Sequence, residues 1–214
     1  MAQPVKRAYH APRRTAAAAQ TRRAILEAAK RQLEARGWSG ATIRAIAAEA
    51  EVSPKTIEAL FPAKAALLEA VVDYTFRGGD PETPVTEGAS ARAVELAADA
   101  RTMLARYAEH VVTINARSAR LVSVVEVAAA TDEQAAALWA RMTRNRRFGA
   151  RWAADLLLAK PDAPAGLEVE DVVRVFLVGL NAVTHGTLTN ELRLSSKAAA
   201  DWLATYYRRM LLVE

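Results

Sequence analysis

Apolar residues along this chain recur three and four positions apart, the spacing of one face of an α-helix, and do not alternate strictly over more than a few positions. From Thr21, the positions Ile25, Leu26, Ala29 and Leu33 predict a first helix, closed by basic Arg36 and by Gly37, a residue free to turn left-handed. Thr42 is placed to cap a short second helix with Ile43, Ile46, Ala47 and Ala50 as its stripe. Ser53 followed by Pro54 marks the start of a third helix, because a hydroxyl can take an orphan N–H and proline suits the first helical position. That helix runs to about Leu60, with Val52, Ile57 and Phe61 inward, and Pro62 ends it. A fourth runs from about Ala63 to Phe76, with Leu67, Leu68, Val71 and Val72 apolar.

The segment from Arg77 to Ser90 is rich in Gly, Pro and acidic residues and reads as a linker. Helical pattern resumes over about Ala91 to Ala116, Ala119 to Ala129 and Asp132 to Ala159. Lys160 to Gly166 holds two prolines and a glycine and reads as a loop, before two last helices over about Val169 to Asn190 and Ser196 to Val213. The expected fold is all-α, in three parts: a flexible basic arm over 1–19, turning helical toward its end, a helical domain over 20–77, and a second over 78–214. Composition agrees, since 52% of the residues are hydrophobic, with alanine the commonest of them, and only 6% are aromatic.

Two short helices joined by a tight turn and braced by a preceding helix form a helix-turn-helix, whose second helix is free to enter a DNA major groove. Charge supports that end of the chain. Residues 1–77 carry thirteen Lys/Arg against seven Asp/Glu, and the remainder sixteen against seventeen. The excess positive charge therefore lies in the first third, where it suits a polyanion partner or a solvated basic tail. The chain has no cysteine, and its three histidines, His10, His110 and His185, are far apart, so neither a disulfide framework nor a metal site is expected. No apolar run approaches the ~18 residues of a membrane span, and no signal-peptide-like stretch follows the basic start, which suits a cytoplasmic protein. No phosphate loop or nucleophile motif points to an enzyme, and no cofactor is implied.

Thr21-Arg-Arg-Ala-Ile-Leu-Glu-Ala-Ala, then Arg36-Gly37-Trp38, Ala41-Thr42-Ile43-Arg44-Ala45-Ile46-Ala47, Val52-Ser53 and Phe61-Pro-Ala-Lys64-Ala-Ala-Leu-Leu stand in fixed order and spacing. This region, about Thr21 to Asp73, resembles the TetR family of transcriptional regulators. The resemblance implies a ligand-responsive regulator, a repressor released from a palindromic operator by a small molecule, acting as a homodimer on double-stranded DNA. It places Thr42 and Arg44 at the DNA backbone, and Ser53, Pro54, Lys55 and Thr56 at the leading end of the recognition helix. It places Lys64 near a phosphate, with Arg13, Arg14 and Arg22 in or beside the arm to reach phosphates or a minor groove. The chain departs from the pattern at Glu51, where the turn usually has Gly. It departs again at Glu58 and Leu60, where the helix usually carries phosphate-binding groups. Glu58 could instead accept from a cytosine amino group or pair with a nearby Lys or Arg. The missing phosphate contacts would then shift toward Lys55, Lys64 and the arm.

In the last two helices, Val172, Val175, Phe176, Gly179 and Val183 form one stripe, and Ala199, Trp202, Leu203, Tyr206 and Met210 another. Such stripes suit internal core or helix packing between subunits, and the resemblance favours a dimer interface. It also implies a ligand pocket among the middle helices, for which Met103, Tyr107, His110, Trp139, Met142, Phe148, Trp152 and Phe176 supply large adaptable or aromatic side chains, though each also suits plain core. Arg141, Arg144, Arg146, Arg147 and Arg151 are a solvated face, unless one turns inward to meet an acidic ligand. The rival to a regulator is a helical ligand-binding or interaction protein that has lost sequence-specific DNA binding.

Overall fold

A computed structural model describes residues 11–79 and 85–212, with the side chains of 11–14 and 86 outside that description. Every regular element among the described residues is helical. The chain divides into two compact units, Met1–Leu67 and Leu68–Glu214.

In the first unit, α1 spans Ala11–Gly40, α2 Ile43–Glu49 and α3 Pro54–Leu60. The helix therefore begins inside the segment expected to be an arm, while residues 1–10 lie outside the described ones. Gly37 interrupts α1 with φ 67° and ψ −176°, a positive-φ conformation open to glycine but extended rather than the left-handed helical turn expected there, and one more short helical piece follows it. Thr42 accepts from Ala45 N and Ser53 from Thr56 N, each satisfying one of the amide N–H groups that a helix start leaves unpaired. Ile25, Leu26, Leu33, Ile46, Ile57 and Phe61 bury together as the core of this small unit. Glu49 joins α2 to α1 by accepting from Arg31 Nε and Gln32 Nε2, each at 2.5 Å. Helix α4, Lys64–Phe76, starts in this unit and continues into the next.

The second unit holds α5 (Ala89–Glu95), α6 (Ala100–Ala129), α7 (Glu133–Leu158), α8 (Val169–Gly179), α9 (Ala182–Gly186) and α10 (Ser196–Leu211). Helix α6 is central and packs on α5, α7, α9 and α10. The expected boundary near Ala116 is absent, and the break falls instead at Leu96–Asp99. The reason is tertiary. Lys160 Nζ donates to Ala97 O (2.6 Å) and Glu95 O (3.2 Å) at the end of α5. Asp99 accepts from Thr102 N (2.7 Å), and Asp162 accepts from Ala100 N (2.8 Å), at the start of α6. The expected single helix over Val169 to Asn190 is broken as well. Asn181 caps α9 by accepting from Val183 N, and Thr184 Oγ1 donates back to Val178 O. A π-helical turn follows at Thr187–Glu191.

Tyr107 of α6, Phe176 of α8 and Tyr207 of α10 meet as a ring cluster, with centroids 4.4 Å (Tyr107–Phe176) and 5.2 Å (Phe176–Tyr207) apart. Gly179 makes this possible. A Cβ built on it would lie 1.8 Å from the Tyr207 hydroxyl oxygen and 2.7 Å from Cζ. Because Tyr207 is fully buried, its ring has little room to yield. Gly179→Ala is expected to lower the unfolding free energy by roughly 1–3 kcal/mol, the usual cost of overpacking. Urea denaturation measures it, and Tyr207→Phe in the same chain should restore part of the loss by removing the closest atom.

Candidate functional site

The first unit presents the outer side of α3. Ile57 is fully buried beneath it, and Pro54, Lys55, Glu58 and Leu60 are exposed above. Thr42 and Arg44 are exposed at the start of α2. The hydroxyls of Thr42 and Ser53 already serve as caps, and Ser53 Oγ also lies 2.9 Å from Thr56 Oγ1. Their surfaces face solvent while their hydrogen bonds hold the helices. Among the described residues, no ion pair involves Arg44, Lys55 or Glu58, so the pairing considered for Glu58 does not form.

Two basic residues are held within the unit. Lys64 donates to the Trp38 carbonyl, and its ammonium lies 4.2 Å from the centre of the Trp38 ring. An expected phosphate ligand is thus a tie between α4 and the end of α1. The Arg22 guanidinium lies 4.7 Å from the Phe61 ring centre. Arg13 and Arg14 are helical residues whose side chains lie outside the description. Glu51 has φ 54°, so the position where glycine is usual keeps its left-handed backbone with a glutamate in it, at a cost of about 1 kcal/mol.

The second unit contains a cavity of about 370 Å³ between α4, α6 and α7. It is walled by Tyr107, His110, Trp139, Met142, Phe148 and Trp152 of the expected set, together with Val72, Asp73, Phe76, Arg141, Asn145 and Arg146. Met103 and Phe176 belong instead to the solid core and are fully buried outside the lining. Phe148 is 69% exposed, which puts it at the mouth. Arg141 donates to Asp73 (3.1 Å) and pairs with Glu69 (3.2 Å). Reading side-chain size along the sequence found the aromatic wall. It missed α4 as a contributor, since Val72, Asp73 and Phe76 are indistinguishable in pattern from core and surface positions.

The expected interface stripes divide into two sets. Val172, Phe176, Gly179, Ala199 and Leu203 are buried in the chain's own core. Val183, Trp202 and Met210 are exposed, Val175 and Tyr206 are half-buried, and Val178 joins them on the surface at 48% exposure. The Trp202 and Tyr206 rings stack with centroids 5.9 Å apart. No single helix among the described residues is long and apolar enough to cross a membrane.

Residues 25–71 match the family model described as bacterial regulatory proteins, tetR family. No curated protein matches the chain. Among solved structures, the chain is similar to a TetR transcription regulator from Haloarcula marismortui ATCC 43049, with 16% identity and a TM-score of 0.65 over 89% of this chain and 98% of that one. It is similar to a TetR-like transcriptional regulator from Rhodococcus sp. RHA1, with 20% identity and a TM-score of 0.63 over 88% and 94%. A further transcriptional regulator from Rhodococcus sp. Rha1 gives 14% identity and a TM-score of 0.63 over 90% and 98%.

His110 on the cavity wall is titratable and buried. Its Nδ1 lies 2.9 Å from Ser90 Oγ. Burial, aided by the nearby Arg117 charge, pushes its pKa from 6.5 down to about 4. The imidazole is therefore neutral in the folded chain at neutral pH. The depressed value means that the unfolded chain binds the proton more readily. This contribution to stability is complete above about pH 6.5 and is lost as pH falls toward about 4, by roughly 3 kcal/mol in all. Urea unfolding between neutral pH and the lower end of that window should show the loss, and His110→Gln should flatten the profile.

Proposed function

We propose, from the match of residues 25–71 to the tetR family of bacterial regulatory proteins and from the fold, that the chain is a ligand-responsive repressor of that family. In this reading it binds a palindromic operator as a homodimer, and a small molecule in the α4–α6–α7 cavity releases it. DNA-binding regulation is what the family and the fold support. The finer reading rests on one observation: Val72, Asp73 and Phe76 on the cavity wall belong to the same helix, α4, that begins in the helix-turn-helix unit. A ligand that prefers one placement of α4 shifts the population of that placement, and by linkage DNA and ligand weaken each other.

In this reading α3 is the recognition helix. Ser53 and Thr42 fix the helix starts, and Lys55, Arg44 and Glu58 are the side chains free to meet DNA. Selection from a random duplex pool should enrich a palindrome, and an unenriched pool would favour the interaction protein instead. Lys55→Ala should weaken operator binding and reduce the slope of log affinity against log salt by about 1 if the ammonium meets a phosphate. Titrations at several salt concentrations measure both.

Dimerisation is assigned to the outer face made by Val178 and Val183 with Trp202, Tyr206 and Met210. These apolar side chains stay exposed in the single chain. Trp202→Glu combined with Met210→Glu should convert a dimer to a folded monomer. Sedimentation equilibrium reads the mass, and an unchanged helical circular dichroism spectrum shows that the fold is kept.

A further inference from the structure

Buried polar groups normally have hydrogen-bond partners, so those without one mark places where something else completes the bonding. Among the described residues, the Tyr107 hydroxyl, Arg141 Nε and Arg146 Nε are buried without a partner in the chain. All three residues wall the α4–α6–α7 cavity. Each of these groups can donate, and the two arginine groups can do nothing else. The cavity lining thus includes three residues with a donor for which the described chain supplies no acceptor.

The charge on the wall points the same way. Asp73 faces the cavity with Arg77, Arg141 and Arg146. Arg141 already holds Asp73 and Glu69. Arg146 makes no ion pair among the described residues, is half-buried, and lines the same cavity as Trp139, Phe148 and Trp152. A cationic ligand would find Asp73, the one lining carboxylate among the described residues, taken, and a neutral one would leave Arg146 without a counter-charge. A carboxylate fits, because its two oxygens match the fork of guanidinium donors. The ring-lined wall suits a flat apolar body attached to it.

We propose that the cavity takes a small organic acid, its carboxylate held by Arg146 and its ring-bearing body lying among Trp139, Phe148 and Trp152. The Tyr107 hydroxyl is a further donor for a second oxygen on the same ligand. This rests on the reading of the cavity as the effector site and specifies what enters it.

The test uses the full chain and three probes of one shape: 2-naphthoate, 2-naphthamide and 2-naphthylmethylammonium, titrated calorimetrically at neutral pH. Naphthoate should bind at least about tenfold tighter than the amide, with the ammonium probe weakest. Arg146→Gln should bring naphthoate and amide within about threefold of each other, chiefly by weakening naphthoate. Should that variant not fold, Arg146→Lys keeps the charge without the fork and should retain only part of the preference. Equal binding of the three probes to the unaltered chain overturns the organic acid and leaves the sensing cavity standing. So does a full preference in Arg146→Gln. Binding of none of the three overturns both the acid and the cavity as the sensing site.

Discussion

The second unit depends on the close approach of Tyr207 to Gly179. A tyrosine hydroxyl occupies the space that any other residue at position 179 would need for its side chain. That brings α10 against α8 and lets Phe176 sit between Tyr107 and Tyr207, which ties both helices to α6. Asn115 adds a buried polar link across the same place, donating to the Gly179 carbonyl. The alanines that dominate this chain carry little apolar surface each. A few large rings in van der Waals contact therefore carry a disproportionate share of the core energy.

From this cluster the rings continue in two directions. Toward the cavity, His110 lies 6.3 Å from Tyr107 and 6.0 Å from Trp152, both measured between ring centres. Toward the surface, Tyr206 lies 5.6 Å from Tyr207 and 5.9 Å from Trp202. One side of the cluster is thus the wall of a cavity and the other is the exposed apolar face assigned to a second copy of the chain. The cavity is reached through Tyr107 and His110 of α6 and the exposed face through Tyr206 and Trp202 of α10, so the packing of α6 and α10 lies between the two. This is an arrangement of contacts, and whether energy passes along it depends on those helices having two placements.

How much could be read from the amino-acid order follows from how local each signal is. Thr42, Ser53, Pro54 and Gly37 act on the backbone within one turn of themselves, and the helix starts and the positive-φ interruption stand where they predict. The break before α6 is different, because Lys160 and Asp162 impose it from more than sixty positions away. Near Leu96 the local signal is Asp99 alone, which caps α6 by accepting from Thr102 N. The stripes on α8 and α10 were visible as apolar positions. An apolar stripe does not say which of its members face the chain's own core, and Val172, Ala199 and Leu203 do while Val183 and Met210 do not. The cavity shows the same limit. Met103 and Phe176 are as large and adaptable as Met142 and Phe148, but only the second pair meets open space.

The first unit adds a constraint on how it can hold DNA. Part of its formal positive charge is engaged before any partner arrives. Arg23 pairs with Glu27, Lys30 with Glu34 and Arg31 with Glu49, all on or against α1. Exposed pairs of this kind contribute little to stability, but each places a carboxylate beside a cation that would otherwise attract phosphate. Lys64 is committed to Trp38. Among the described residues, Arg44 and Lys55 are the basic side chains that lie on α2 and α3 themselves, with Glu58 one turn beyond Lys55. A helix pair with only these two cations of its own gains less from counterion release than a densely basic pair. In the proposed reading, more of its binding free energy must then come from base edges, and Glu58 suits that requirement because a carboxylate repels phosphate but accepts from a cytosine amino group.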